Sequence, residues 1–392
     1  DGTAFAVKYS FVAGTGSIPI GSFVLANNGK LYGTAREGGF NNNGVIFSFD
    51  PIDSVYTDVF DFNGANGEWP HDELLIASNG LFYGTAEYGG ANNYGVLFSF
   101  DPLNNTFTKL LDFNFSNGTT PIGSLIQAIN GMLYGVTLEG GLYDLGVIFS
   151  FNLSNNTYTD IFDFDGPLGN NPMGGLIQLS TNNKLYGMTD GGGNGGHGVL
   201  YSFDITNSTY TVEINFNGTN GDGSSGRLLE ATNGLLYGTT YYGGINGDGN
   251  LISFDPQNGM FTNLFNFNGI NGFEPNSNLI QASDGKLYGT TQEGGVNGDG
   301  VIFRFNPTNN SYNKIFDFNG TNGSIPNGTL VELVVTAIVE NNFSKNKLNI
   351  FPNPATGPIQ LTFNTKEKIN LQLEIVNVMG EKVYQTELQT LN

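Results

Sequence analysis

The chain has 392 residues and a formal net charge of −21, from 14 Lys and Arg against 35 Asp and Glu. That length has room for one large domain and one small one, and the acid excess argues against nucleic acid or anionic membrane as partners. Cysteine is absent, which excludes disulfides, thiolate metal sites and cysteine nucleophiles, and no apolar run is long enough for a transmembrane helix.

The chain opens on Asp1 with no charged-then-apolar leader, as expected if a signal peptide has been removed or the chain trimmed. A tyrosine then recurs in a fixed setting, "LYGT" or a close variant, at Tyr32, Tyr83, Tyr134, Tyr186, Tyr237 and Tyr288, in steps of 51, 51, 52, 51 and 51 residues. The last unit shows the grammar. "SNLIQA" (277–282), "KLYGTT" (286–291), "VIFRF" (301–305) and "YNKIFDF" (312–318) are β-forming runs separated by Asp-Gly, Gly-Gly and Asn-Pro punctuation. No segment has helical period. Each unit therefore reads as a four-stranded antiparallel meander, and the fold class as an all-β propeller.

The termini bear on the blade count. A fourth-strand motif without its unit stands at Tyr9–Gly21, and a first-strand motif without its unit stands at Gly328–Leu333. Pooling them would make one split blade, with "TAFAV" (3–7) and "TAIVE" (336–340) as middle strands, and would close the ring without exposed sheet edges. Seven blades is the preferred count and six the runner-up. The propeller is assigned to residues 1–335, a linker to 336–347 and a second domain to 348–392.

The repeat resembles a family of secreted bacterial proteins built from tandem "LYGTT…GG…NGTVF" units, over about residues 5–335. The tail has a different composition. "KLNIFPNPATGPIQLTFN" brings in prolines, and lysines become common. Proline cannot join a central ladder, so Pro352 and Pro354 belong at a strand edge or turn; the later runs read as a small, incomplete β-sandwich. With Phe351, Pro352, Asn353, Pro354 and Gly357, followed by "LEIVNVMGEKVYQ", the tail resembles the C-terminal sorting domain of type IX secretion cargo in Bacteroidota. That resemblance implies export across the outer membrane by the type IX translocon, to the surface or beyond. Ser54, in "DSV", fits the O-glycan rule of the same phylum.

Chemistry is thinly marked. His71 and His197 lie in different units, and no nucleophile elbow, zinc pair or phosphate loop is present. "NGDGN" (246–250) and "NGDGV" (297–301) each offer one carboxylate where a calcium loop needs several, so no metal or cofactor is assigned and calcium remains a minor alternative. Recurrent residues read as structural, and function is sought where one copy departs from the others. The second connection, "GEWPHDELL" (67–75), is such a departure and supplies the ligand-binding candidates Trp69, His71, Asp72 and Glu73, an indole beside carboxylates that suits sugar stacking. "DGGGNGGHGV" (190–199) reads as a mobile glycine loop around His197. The scarce Arg36, Arg227 and Arg304 read as partners of internal carboxylates. The leading expectation is a non-catalytic surface propeller that binds glycan or protein. The alternatives are a polysaccharide hydrolase or lyase using carboxylates such as Glu37, Glu87, Glu139 and Glu293, and a subunit of an extracellular layer or filament.

Overall fold

In the computed structural model, the described residues are 7–71, 73–179, 181–224 and 226–332, together with the backbone of 370–376 and 382–389. The larger unit, Asp1–Ala26 with Lys30–Glu332, contains six antiparallel sheets in sequence order, each with its four repeat strands adjacent. The last sheet, Ile280–Gln281, Leu287–Thr291, Val301–Asn306 and Ser311–Asp317, follows the four runs read from the sequence. In the smaller unit, Asn370–Val376 pairs antiparallel with Lys382–Gln389. The rest of the expected sandwich, including Phe351, Pro352, Asn353, Pro354 and Gly357, lies outside the described residues, as does Asp72.

The preferred count of seven blades is corrected to six. A blade needs three hairpin-linked strands behind its inner strand, and among the described residues only the six "LYG" units supply them. The spare terminal motifs nonetheless take their repeat positions. Tyr9 stacks on Tyr56 at 4.1 Å, as Phe60 stacks on Phe107 at 4.2 Å one blade later. Glu332 accepts from the Ser283 amide at 2.8 Å, as Gln281 does from Thr232. The Thr329 amide donates to Ser22 Oγ at 3.2 Å, so the inner circle closes from last repeat to first. Of the segments expected as middle strands, 3–7 and 336–340, all but Val7 lie outside the described residues, and Val7 is not in a strand.

The second and third strands are buried along nearly their whole length because neighbouring sheets cover both faces, whereas the fourth strands alternate in exposure. The packing is close enough to dictate residue type. A Cβ on Gly84 would stand 2.6 Å from Phe98 Cζ, so the glycine of "LYG" makes room for a ring from the next strand. The tyrosine beside it is buried, and its hydroxyl is capped by the turn asparagine, as in Asn79–Tyr83 at 2.8 Å.

The fourth strand ends in Asp or Asn, and in all six blades this side chain accepts the N–H of the residue after the glycine doublet. The distances run from 2.5 Å for Phe40–Asp61 to 3.0 Å for Ile245–Asn266. Three residues earlier the copies differ. Blades 2 and 6 place Lys109 and Lys314 there, each 2.8 Å from the terminal aspartate. Blades 1 and 3 place Asp58 and Asp160, each with a buried Oδ1 that has no hydrogen-bond partner. Burial pushes both carboxyls up to about 6, with Asp61 and Asp163 adding to the shift. The folded chain therefore holds these protons more tightly than the unfolded one. Stability falls as pH rises from about 4 to about 6 and stays reduced above that. Accordingly, Asp58→Asn and Asp160→Asn should each raise Tm at pH 7.5 by about 1–2 °C and give no gain at pH 4, measured by thermal scans at both pH values.

Candidate functional site

Most of the connections pin their backbone to the glycine loop of the blade before them. Trp69 N–H donates to Asn43 O at 2.9 Å, Thr120 to Tyr94 at 3.2 Å, Asn171 to Leu145 at 2.9 Å and Ile325 to Asp299 at 3.0 Å. Ile18, Trp69, Thr120, Asn171, Glu274 and Ile325 all adopt left-handed φ between 51° and 59°. That conformation disfavours β-branched and bulky side chains, so these connections carry strain, a common mark of functional regions. Two residues further on, Ile20, His71, Ile122, Met173, Asn276 and Asn327 come from six different connections to line one cavity of about 200 Å³. This is the mouth of the central channel.

Below the mouth, Glu73 of blade 2 reaches across to Arg227 of blade 5, Oε1 to Nη1 at 2.6 Å. The pair borders a second cavity of about 380 Å³, and Ser22 and Thr329 line both spaces. The sequence indicated a carboxylate partner for Arg227 and not which one.

At the rim, Arg36 donates to Glu87 Oε2 from Nη2 at 3.1 Å and Nε at 3.3 Å, and its Cζ lies 4.2 Å over the Trp69 ring. Tyr88 meets Trp69 edge-on at 5.3 Å. Trp69 is thus half-buried in an aromatic and guanidinium stack, with Arg36 over its ring face. Its segment Glu68–Pro70 adds a short extra strand against Ala86 and Tyr88. Desolvation lowers the His71 pKa, with Glu87 opposing and Arg36 reinforcing the shift. The structure thus joins Trp69 and His71 to Arg36, Glu87 and Tyr88, and places Glu73 with Arg227.

Further round the mouth, the Tyr241 hydroxyl donates to Glu274 Oε2 at 2.7 Å and lies 3.1 Å from Gln292 Oε1. Burial first, then Glu274, pushes its pKa up. Sequence reading missed this group; its signal was the tyrosine pair of "TTYYGG", found in no other copy, and the Glu of "GFEPN", where the other connections carry Ile, Trp, Thr, Asn or Gly. His197 is also tied down, its Nδ1 2.9 Å from Asp222 Oδ2, so the glycine-rich loop of blade 4 is fastened to the connection into blade 5. Arg304 differs from the other two arginines: it takes no part in the ion pairs among the described residues and bonds Tyr288 instead. Glu37, Glu139 and Glu293 bridge to their own connections through the main chain, while Glu87 stands one position earlier, in the place of Arg36. Ser54 sits exposed in the hairpin turn between the third and fourth strands of blade 1. Among the described residues no group of three or more His, Asp or Glu converges as a metal site.

A family model described as the Gloeobacter/Verrucomicrobia repeat matches residues 1–182 and again 169–351. The chain belongs to this repeat family. A second model, the secretion system C-terminal sorting domain, matches residues 349–392, and this tail marks the repeat protein for type IX export to the cell surface or outside it. No curated protein matches the chain. Among solved structures it is similar to the extracellular domain of a hybrid two-component system of B. thetaiotaomicron, at 14% identity and TM-score 0.57, over 81% of this chain and 36% of that one. It is also similar to a Bacteroides fragilis protein described as a 6-phosphogluconolactonase, at 16% identity and TM-score 0.53, over 79% and 86% of the two chains. An oligogalacturonate lyase of Vibrio parahaemolyticus aligns at 11% identity and TM-score 0.50, over 76% and 77%. The repeat protein spans about a third of the length of the two-component chain, and at these identities the likeness is one of fold alone.

Removing one member of the Glu73–Arg227 pair leaves the other charge in a confined channel. Glu73→Ala should lower stability by about 1–3 kcal/mol, whereas Glu73→Leu combined with Arg227→Met should recover most of the loss, as read from the thermal midpoints of the single and double variants.

Proposed function

We propose that this exported propeller is a non-catalytic carbohydrate-binding protein whose site is the channel mouth. The observation that carries this reading is where the repeats diverge. The strands keep one pattern in every blade, while the connection and second-strand exit residues change from copy to copy: Arg36, Trp69, His71, Glu87, Tyr241, Glu274, Gln292 and Asn327. They surround a concave opening with planar amides, carboxylates and a guanidinium, which match vicinal hydroxyls, and with aromatic rings, which match the apolar face of a sugar.

A catalytic reading has one observation behind it. Desolvation favours neutral His71, and it stands beside Glu87 and Arg36, a setting that suits a general base. Arg36 is already engaged by Glu87, however, and an enzyme would need it for substrate.

A glycan array probed with the full chain should give hits, and Gln292→Ala and Asn327→Ala, at two residues that line the cavity, should each weaken the best hit about tenfold in titration calorimetry. Chromatography of the same mixtures should show uncleaved glycan. An array without hits would overturn the proposal, and cleavage products would replace it with the catalytic reading.

A further inference from the structure

Two junctions of the mouth place different residues at the same repeat positions. Between blades 1 and 2 these are the exit residue Arg36, the connection residue Trp69 and the exit residues Glu87 and Tyr88. They close an aromatic wall and a carboxylate around a guanidinium, at 4.2 Å from the Trp69 centroid and 3.1 Å from Glu87. The chain has filled this pocket with its own cation.

Between blades 5 and 6 the corresponding residues are Tyr241 and Tyr242, then Phe273 and Glu274, then Gln292 and Glu293. The two tyrosine rings stand 4.5 Å apart at 85°, and Glu274 is held by the Tyr241 hydroxyl at 2.7 Å. Glu293 also acts on Tyr241, and Asp190 on Tyr242. Aromatic wall and carboxylates are again together. Here, among the described residues, no Lys or Arg forms an ion pair with Glu274, Glu293 or Asp190. Tyr242 is 44% exposed, so the wall is open to solvent.

We propose that Tyr241, Tyr242 and Glu274 bind the protonated amine of an amino sugar. This rests on the mouth being a carbohydrate site and names the class of sugar. A ring face and a carboxylate together favour an ammonium over a neutral group, and the acidic surface raises the local concentration of cations. A saccharide is favoured over a basic peptide because the adjoining cavity, of about 200 Å³, is ring-sized and lined by the amides of Asn276, Gln292 and Asn327, with Gln292 itself 3.1 Å from Tyr241.

The test is calorimetry on the full chain with a glucosamine tetramer, its fully N-acetylated twin and tetralysine. The glucosamine tetramer should bind about tenfold more tightly than the twin, which is uncharged at the same ring position. Glu274→Gln and Tyr242→Ala should reduce that preference to about threefold or less, with thermal scans checking that both variants fold. Equal binding of the two tetramers would overturn the amine site and leave the carbohydrate reading standing. Binding of tetralysine without either saccharide, or no binding at all, would overturn the amine site, while the carbohydrate reading stands or falls with the glycan array.

Discussion

The hydrogen bond from the residue after each glycine doublet to the last side chain of the fourth strand fixes the loops on which everything at the mouth is built. It occurs in every blade, at Asp61, Asp112, Asp163, Asn215, Asn266 and Asp317. The doublet itself cannot carry side chains. A Cβ on Gly89 would stand 2.4 Å from Gly64 O, and one on Gly90 would stand 2.5 Å from Asp112 Oδ1. The loop is therefore dense backbone, and its carbonyls in turn receive the amides of the following connection. That chain of backbone bonds holds the strained left-handed residues in place.

Once the loops are rigid, the exit and connection side chains are free to vary without endangering the fold. Stability resides in the repeated parts: the buried rings, the capped tyrosine and the glycine that admits a neighbouring phenylalanine. Variation collects where six connections converge on one opening. The same logic accounts for the Glu73–Arg227 pair, which joins blades far apart in sequence and borders the second cavity. It also accounts for Arg36, which occupies the face of Trp69 and the carboxylate of Glu87 at once.

Much of this was legible in the sequence. A period of 51 residues with Gly, Asn and Asp between β-forming runs left little choice of fold, because hairpin turns and strand alternation are local properties. The internal partner of Arg227 was legible as a need and not as a residue, since ring closure brings Glu73 to it from three blades away. Trp69 stands out in the sequence as a departure, but its cover comes from the previous blade, and an isolated unit does not reveal what its neighbour places on it. His197 looked mobile because glycines surround it; Asp222, in the next connection, holds it. The blade count turned on the termini. The motifs there take repeat positions, but six complete sheets are what the described chain builds.

If the divergent mouth, and not the repeated outer surface, is where this protein meets its ligand, a crystal structure of the full chain soaked with the best glycan from an array is the most direct test. The prediction is sugar density over the channel opening, within hydrogen-bond distance of Asn327 or Gln292 and bounded by the Trp69–Glu87 and Tyr241–Glu274 groups. Density on the outer fourth strands or the hairpin rim, with the mouth empty at a saturating concentration, would contradict it.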